Sequence, residues 1–351
     1  MMKKNPFLML LFAALAMAVM MGCEKDPIEP DPDVDPTLPK VLVAGCNLVS
    51  TDVNGAICWE EGVKTTLADG NGNTATCVFA DGNDTYYGGR MDGKPTIWKN
   101  GVPQALSQSS GSVSDICVSN GKVYAVGSMG GAATLWVDGV AETMESDYQT
   151  LYPWTSPSTV VTAVTVANGK VYVVGYAKTS GTPKAAYLWV DGVCQMLSDG
   201  GGSAYDVFVD GTTVYVVGEG PQESEVYADL TVPALWTNGV FQDLTPANET
   251  PTPGRATCIC VDNHIPYVSF YRRKGATWDP IMQGYMYQNG SIQEVACKQA
   301  YAVFKKDGDL YVGGIKEQWV GDDLPVLLKN NVEQTLGSGT DPARVNAIYV
   351  R

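Results

Sequence analysis

Aromatic and arginine side chains are concentrated in a few irregular stretches of this sequence, and both suit ligand binding. Aromatic faces stack on sugar rings, and an arginine guanidinium holds a carboxylate through two hydrogen bonds. Seven side chains are the binding candidates: Trp154, Trp278, Trp319, Tyr152, Tyr271, Arg272 and Arg273. We expect them to form a ligand or partner site, with a glycan as one ligand class. The alternative is that the rings pin the loops or fill a contact with another protein.

Carboxylates in the same stretches suit a second kind of chemistry. Four of them lie close to the aromatic candidates in sequence: Asp279, Glu317, Asp322 and Asp323. Two carboxylates that flank a glycosidic bond are sufficient to hydrolyse it. No spacing selects a pair here, so we do not expect catalysis.

The overall composition excludes several classes of partner. Acids outnumber bases by 38 to 23 in a chain of 351 residues, which gives a net charge of −15. Electrostatic attraction to nucleic acid is therefore not expected. The single histidine, His264, excludes a metal site built from several histidines. We expect the protein to be a monomer that uses no cofactor and binds no nucleic acid.

A short phrase recurs seven times and defines the elements that must position these side chains. In most copies a large apolar residue stands three positions before a turn glycine. The landmark residues are Trp59, Trp98, Trp136, Trp189, Trp236, Tyr287 and Leu328. Successive landmarks lie 38 to 53 residues apart, a spacing typical of propeller blades. Because the aromatic landmark occurs in nearly every unit, we expect it to pack between adjacent units and not to bind a ligand.

Each unit predicts four short antiparallel strands. Asn100-Gly101 and Asp138-Gly139 are the residue pairs that a type I′ hairpin turn requires, since both positions take positive φ. Residues 41–45 match the second strand of a unit, and residues 345–350 match a first strand. The predicted fold is all-β: a seven-bladed β-propeller of four-stranded blades. The C-terminal strand closes the ring by joining the N-terminal blade.

The first strand of each unit is expected to line the central channel, where crowding favours small side chains. Its third position holds, in turn, Cys77, Asp115, Ala163, Asp206, Cys258, Ala302 and Ala347. Asp115 and Asp206 are candidates for binding a cation together with channel waters, because hard cations prefer carboxylate oxygens. The alternative, which we favour, is that both are hydrogen-bonded structural carboxylates.

The connections between strands predict which side of the ring is functional. Turns from first to second and from third to fourth strands are mostly two-residue turns on one rim. The connections on the opposite rim are long and irregular: residues 145–159, 176–186, 219–233, 245–255, 271–286 and 315–325. Loops on a rigid scaffold commonly carry binding sites, so we expect the working surface on this rim.

The first 39 residues have the features of an export and anchoring segment. Lys3 and Lys4 precede an uncharged apolar run over residues 7–22, the layout of a signal peptide. Gly22-Cys23 resembles the lipobox of bacterial lipoproteins, which implies cleavage before Cys23 and lipidation at that residue. Residues 24–39 contain five prolines and six acids, which favours an extended tether.

This acidic stretch resembles the surface-export signal of Bacteroidota lipoproteins. The resemblance implies a protein anchored to the outer membrane through Cys23 and exposed at the cell surface. The predicted domains are a signal peptide over 1–22, a tether over 23–39 and the propeller over 40–351. The repeats resemble seven-bladed propellers on such lipoproteins, most of which have no assigned function. The Tyr-x-Gly-Gly sequences at 86–89 and 311–314 also resemble kelch repeats, although the other copies lack the double glycine.

Eight cysteines remain once Cys23 is set aside. Cys46 and Cys58 flank one loop, and we expect them to form a disulfide. Cys258 and Cys260 lie two positions apart on one strand, about 6.7 Å by strand rise, which strains a disulfide. We expect Cys77, Cys117 and these two residues to be small apolar core residues.

Together these features predict a surface-exposed lipoprotein that acts as a non-catalytic binding module. Its binding surface is expected on the rim that carries the long connections. A glycan is the ligand class that the aromatic residues favour. Two alternatives remain: a polysaccharide hydrolase or lyase on the same rim, and a structural component of an outer-membrane complex.

Overall fold

A computed structural model describes residues 40–49, 52–222, 230–246, 249–274, 281–316, 323–338 and 341–351. These residues form seven antiparallel sheets of four strands each, and every sheet packs against the next to form a ring of blades. The all-β, seven-bladed prediction is therefore confirmed. The signal segment, Cys23 and the tether lie outside the described residues.

The first three blades contain the following strands. Blade 1 consists of β1 (Val41–Val49), β2 (Asp52–Glu60), β3 (Val63–Asp69) and the C-terminal strand β28 (Ala343–Val350). Blade 2 consists of β4 (Thr74–Asp81), β5 (Asp84–Met91), β6 (Lys94–Lys99) and β7 (Val102–Ala105). Blade 3 consists of β8 (Gly111–Ser119), β9 (Lys122–Met129), β10 (Ala132–Val137) and β11 (Val140–Thr143).

Four further blades complete the ring. Blade 4 consists of β12 (Ser158–Ala167), β13 (Lys170–Lys178), β14 (Ala185–Val190) and β15 (Val193–Ser198). Blade 5 consists of β16 (Ser203–Asp210), β17 (Thr213–Pro221), β18 (Thr231–Thr237) and β19 (Val240–Asp243). Blade 6 consists of β20 (Gly254–Asp262), β21 (Ile265–Lys274), β22 (Ile281–Gln288) and β23 (Ser291–Glu294). Blade 7 consists of β24 (Gln299–Lys306), β25 (Asp309–Lys316), β26 (Leu324–Lys329) and β27 (Val332–Gln334).

One short helix, α1 (Tyr148–Leu151), lies in the connection between blades 3 and 4. Tyr148 is fully buried, and its hydroxyl bonds with Thr182 Oγ1 at 2.6 Å and donates to the Pro183 carbonyl at 2.5 Å. These bonds tie α1 to the β13–β14 connection of blade 4. None of the helices in the described ranges has the length and apolar character to cross a membrane.

The ring is closed by pairing between the two ends of the propeller. Strand β28 runs antiparallel to β1, with Val41 opposite Val350 and Val43 opposite Ile348. Beyond the strands, the Lys40 and Arg351 backbones donate to each other's carbonyls at 2.9 and 3.1 Å. The predicted closure by the C-terminal strand is confirmed.

The landmark residues of the repeat form the contacts between blades. All five landmark tryptophans are at most 1% exposed. Trp98 of blade 2 packs in a cluster with Leu42 and Cys58 of blade 1. Trp189 of blade 4 packs in the same way with Val126 and Leu135 of blade 3. Each landmark thus fills the interface with the preceding blade, which confirms packing as its role.

The two-residue turns have a second function that the pattern alone did not reveal. Asp138 and Gly139 have φ of 51° and 81°, the positive values that a type I′ turn requires. Asp138 Oδ1 also accepts a hydrogen bond from the backbone of Val123 at 2.9 Å. Asp191 and Asn238 accept equivalent bonds at the start of the second strand in their own blades. The turn residue therefore links strands two, three and four at one edge of the blade.

We call the side that carries these turns the short-turn rim and the opposite side the long-loop rim. The predicted asymmetry between the rims holds for blades 4 to 7. In blades 2 and 3, however, the second and third strands are joined by only two residues, Asp92-Gly93 and Gly130-Gly131. Glycine adopts positive φ without steric cost, so a two-residue turn is sufficient to connect these strands.

We expect a large difference between a landmark tryptophan and an exposed one. Trp98→Ala removes a fully buried ring and should lower the free energy of unfolding by about 3–5 kcal/mol. Trp154 is 80% exposed, so Trp154→Ala should change it by only about 0.5 kcal/mol. Denaturant titration of both variants measures the difference. Equal losses would contradict the assignment of the landmark residues to the blade interfaces.

Candidate functional site

The seven innermost strands enclose a central channel of about 180 Å³. Blades 2 to 7 contribute their first strands, and blade 1 contributes β28. All seven side chains predicted to line the channel do so: Cys77, Asp115, Ala163, Asp206, Cys258, Ala302 and Ala347.

Each innermost strand has a β-bulge immediately before its channel residue. The bulge residues are Thr76, Ser114, Thr162, Tyr205, Thr257, Tyr301 and Asn346. A bulge leaves one residue without a partner in the ladder and redirects its side chain. Thr76 Oγ1 donates to the Val113 carbonyl of the next blade at 2.7 Å, and Thr162 and Thr257 make the same contact with their own next blades. The bulges therefore link neighbouring blades around the channel.

Asp115 and Asp206 link blades through their carboxylates. Asp115 Oδ2 accepts from the Val164 backbone of the next blade at 2.9 Å, and Asp206 Oδ2 accepts from the Ile259 backbone at 2.8 Å. Burial, and to a lesser extent the charge of Asp206, raise the pKa of Asp115 to about 7. Burial also raises the pKa of Asp206 to about 6. No cluster of three or more potential metal-ligating side chains is present in the described part of the chain.

Above the channel, on the long-loop rim, lies a pocket of about 260 Å³, which we call the channel mouth. Its nine lining residues are Ser114, Thr162, Tyr205, Arg255, Thr257, Tyr271, Tyr301, Arg344 and Asn346. The bulky members come from blades 5, 6, 7 and 1. Blades 3 and 4 contribute only a serine and a threonine. This difference in side-chain size around the ring leaves room for a ligand.

One wall of the mouth is a buried polar network centred on Glu219. This residue is 7% exposed, and its carboxylate accepts from Arg255 Nε at 2.8 Å and Nη2 at 2.7 Å. The Tyr205 hydroxyl donates to the same oxygen, Oε1, at 2.5 Å, and Thr231 donates to the other oxygen at 3.2 Å. The Arg255 guanidinium also lies 4.5 Å from the centre of the Tyr205 ring. The network fixes two of the mouth side chains in place.

The tyrosines of the mouth are neutral hydrogen-bond donors at physiological pH. Burial raises the pKa of Tyr301 to about 12 and holds the pKa of Tyr205 and Tyr271 above their usual value. Tyr271 meets Tyr301 edge to face, with ring centres 5.9 Å apart. The rings thus present both a stacking surface and protonated phenols.

A second groove of about 570 Å³ lies between blades 4 and 5, next to the mouth. Glu219 lines this groove and also belongs to the polar network that forms one wall of the mouth. Gly202 lies against the Glu219 backbone, where a Cβ would come within 2.8 Å of that carbonyl oxygen. Lys184 lines the groove and lies 5.2 Å from the centre of the Tyr176 ring. The groove therefore extends the polar and aromatic surface outward from the mouth.

The seven binding candidates from the sequence have different outcomes. Tyr271 lines the mouth, whereas Arg272 is only 2% exposed, forms an ion pair with Glu249 and stacks over Tyr285. Arg273 is half-buried outside the mouth. Trp154 meets Tyr152 edge to face at 6.4 Å, in the loop that carries α1.

The remaining candidates are Trp278 and Trp319, and both lie outside the described residues. The same is true of Asp279, Glu317 and Asp322, while Asp323 forms an ion pair with Lys298 at 3.5 Å.

Arg255, Arg344, Tyr205 and Tyr301 were not identified from the sequence. Both arginines occupy the position two residues before the bulge, in β20 and β28, and both tyrosines occupy the bulge itself. The strand pattern groups these positions as columns around the ring. Comparing the columns for unusually large side chains would have identified all four residues.

The predicted disulfide between Cys46 and Cys58 is wrong. Cys46 lies opposite Ala56 and Cys58 lies opposite Ala44, so the two cysteines are offset by two residues along paired strands. All eight cysteines of the described chain are free thiols, and six are buried. Burial raises the pKa of Cys117 to about 11, which keeps that thiol protonated as a core residue.

The channel carboxylates predict an unusual pH dependence of stability. Because the folded pKa of Asp115 is raised from 3.8 to about 7, the folded state binds the proton more tightly than the unfolded state. The free energy of unfolding should therefore fall as pH rises from 4 to 7. The loss should be about 1.4 kcal/mol for each unit by which the folded pKa exceeds the unfolded one. Asp115→Asn keeps an acceptor for Val164 and should flatten this slope. Melting temperatures between pH 4 and 8 provide the test.

Glu142→Gln is the matched control, since Glu142 is an exposed carboxylate in the same blade. It should retain the wild-type slope. Identical slopes for wild type and Asp115→Asn would contradict the assignment of this pH dependence to the channel.

No family model matches the chain, and no curated protein matches it. Among solved structures, the β-propeller domain of the Trilobed protease from Pyrococcus furiosus aligns with a TM-score of 0.51 at 13% identity. The alignment covers 87% of this chain and 96% of that one. An exo-1,5-α-L-arabinanase from a bovine ruminal metagenomic library aligns with a TM-score of 0.34 at 11% identity, covering 63% and 94%. Arabinanase Arb43A from Bacillus subtilis gives 0.34 at 10% identity, covering 71% and 92%. At 13% identity the likeness to the first of these structures is one of fold alone, and that fold is the β-propeller.

Proposed function

We propose that this chain is a lipid-anchored, surface-exposed binding module that holds a glycan at the channel mouth without catalysing its breakdown. One observation carries the proposal. Three tyrosines and two arginines converge on a concave pocket, and all of them project from paired strands and not from loops. Side chains on regular strands are held more precisely than side chains on loops, which favours a preformed site.

The chemistry of the mouth favours a sugar over an apolar ligand. Tyrosine rings provide faces for stacking against sugar C–H groups. The Tyr205 and Tyr301 hydroxyls donate to Glu219 and Gln299, so their oxygens can accept from sugar hydroxyls, and the Tyr271 hydroxyl can donate or accept. Ser114 and Thr162 add hydroxyl groups from blades 3 and 4, and Thr257 adds one from blade 6, the blade that also carries Arg255 and Tyr271. Binding pockets commonly combine aromatic surface with a few fixed polar groups in this way.

The arrangement of carboxylates favours binding over hydrolysis. Glycosidases place two carboxyl groups on either side of the scissile bond. None of the described side chains that line the mouth is a carboxylate. Glu219 stands behind the wall, with its oxygens engaged by Arg255, Tyr205 and Thr231. Glu219 therefore supports the site's structure and is not placed to attack a ligand.

The position of the chain ends is consistent with presentation at a surface. Lys40, to which the tether is covalently joined, immediately precedes β1 at the short-turn rim. The mouth lies on the opposite rim. The tether is therefore joined to the propeller at the rim opposite the mouth.

Loss of one stacking ring should weaken glycan binding. Tyr271→Ala removes an aromatic face of the mouth and should lower affinity about 3- to 10-fold for oligosaccharides that bind on a glycan array. Tyr215→Ala is the matched control, because Tyr215 is a half-buried tyrosine near the short-turn rim. Isothermal titration of both variants measures the effect. Failure of the wild type to bind any glycan on a broad array would overturn the proposal.

Membrane attachment should depend on a single cysteine. Cys23→Ser removes the thiol that would carry the lipid, so the protein should move from the membrane fraction to the soluble fraction. Cys194→Ser, which changes a half-buried propeller cysteine, should leave the distribution unchanged. Detergent fractionation with metabolic labelling by a fatty acid measures both. Unchanged membrane association and labelling of Cys23→Ser would contradict the anchor.

A further inference from the structure

The channel mouth has a charge opposite to that of the protein around it. The chain has a net charge of −15, yet the described lining of the mouth contains two arginines and no carboxylate. A locally positive, concave site on an acidic protein favours an anionic ligand, because an anion bound there pairs with a cation that the site leaves uncompensated.

The two arginines differ in whether their charge is already compensated. Arg255 is paired with Glu219 through two of its nitrogens, so it offers little net charge to a ligand. Arg344 has no carboxylate partner among the residues that the structure describes. It is half-buried, and its guanidinium lies 5.9 Å from the centre of the Tyr301 ring. Arg344 is therefore the cation available to a ligand.

The orientation of Arg344 is fixed by Asn346. The Asn346 side chain donates through Nδ2 to the Ala75 carbonyl at 2.8 Å, which directs its oxygen toward the arginine. Arg344 Nε donates to that oxygen, Oδ1, at 2.9 Å. With Nε occupied, Nη1 and Nη2 remain as a pair of parallel donors. A pair of this kind matches the two oxygens of a carboxylate.

We propose, on the basis of the glycan-binding function above, that the mouth recognises an acidic sugar residue and that Arg344 holds its carboxylate end-on. A hexuronic acid meets the requirements of the site. Its ring can stack on the tyrosines, its hydroxyls can donate to the phenol oxygens, and its single negative charge matches Arg344, the mouth arginine that has no carboxylate partner among the described residues. A more highly charged phosphate ester fits less well, because Asp115 and Asp206 line the channel directly beneath the mouth.

The test compares each acid with its own methyl ester. Oligogalacturonides and glucuronate-containing oligosaccharides are titrated calorimetrically into the full-length protein, each as the free acid and as the methyl ester. The free acid should bind about 10- to 100-fold more tightly than its ester, the difference expected for hydrogen bonds to a charged group. Arg344→Met should remove this preference, so that the free acid and its methyl ester bind with equal affinity.

Two further variants make the result specific. Arg344→Lys retains the charge but not the paired donors, so it should restore only part of the preference. Arg90→Met removes an exposed arginine that does not line the mouth and should leave the preference intact. Melting temperatures of all variants establish that each one is folded.

The possible outcomes separate this inference from the function on which it rests. Equal affinity for acid and ester, or equal loss of both in Arg344→Met, overturns the carboxylate assignment and leaves glycan binding standing. Tighter binding of sulfated or phosphorylated sugars than of uronates also overturns it. If neither neutral nor acidic oligosaccharides bind detectably, the glycan-binding proposal is overturned as well.

Discussion

The interface between neighbouring blades is the constraint on which the rest of this molecule depends. A single four-stranded blade has two faces and no core of its own, so it is stable only where a neighbour covers it. Here the apolar core of the described residues is divided into seven clusters, and each joins residues from two adjacent blades. The landmark residue of one blade completes the core of the blade before it. The cluster that contains Trp59 exists only because β28 brings the end of the chain back beside β1.

The channel mouth is a consequence of the same geometry. A ring of identical inner strands would present identical side chains to the axis and leave only a symmetric pore. The bulges free one side chain per blade, and the different residue types at these seven positions break that regularity. In blades 2, 4 and 6 the freed side chain is a threonine bonded to the next blade, whereas in blades 5 and 7 it is a tyrosine at the mouth. The blades thus share one backbone while differing at the few positions that can meet a ligand.

Features that repeat could be predicted from the sequence, and features that occur once could not. The tryptophans recur at one position, so their packing role and the blade count followed directly from the spacing. Arg344 has no such repetition, and its proposed role depends on Asn346, on Tyr301 and on the lack of a carboxylate partner among the described residues, which are all tertiary relations. Arg272 is the opposite case, in which the sequence suggests a binding residue and the tertiary contacts bury it. It stands in a basic run that suggests an exposed patch, yet its partner Glu249 and the Tyr285 ring bury it.

The hydrogen-bonded meeting of Lys40 and Arg351 has a consequence for how the fold relates to chain order. The two ends lie in one ladder at one rim, so a short peptide could join them without disturbing any strand. The chain could then be opened at the turn between the first two strands of another blade, for example between Asp210 and Thr213, and would retain the same seven interfaces. That blade would then be the one built from strands at both ends of the chain. Circular permutation therefore offers a way to choose which side of the mouth lies nearest to a fused tether.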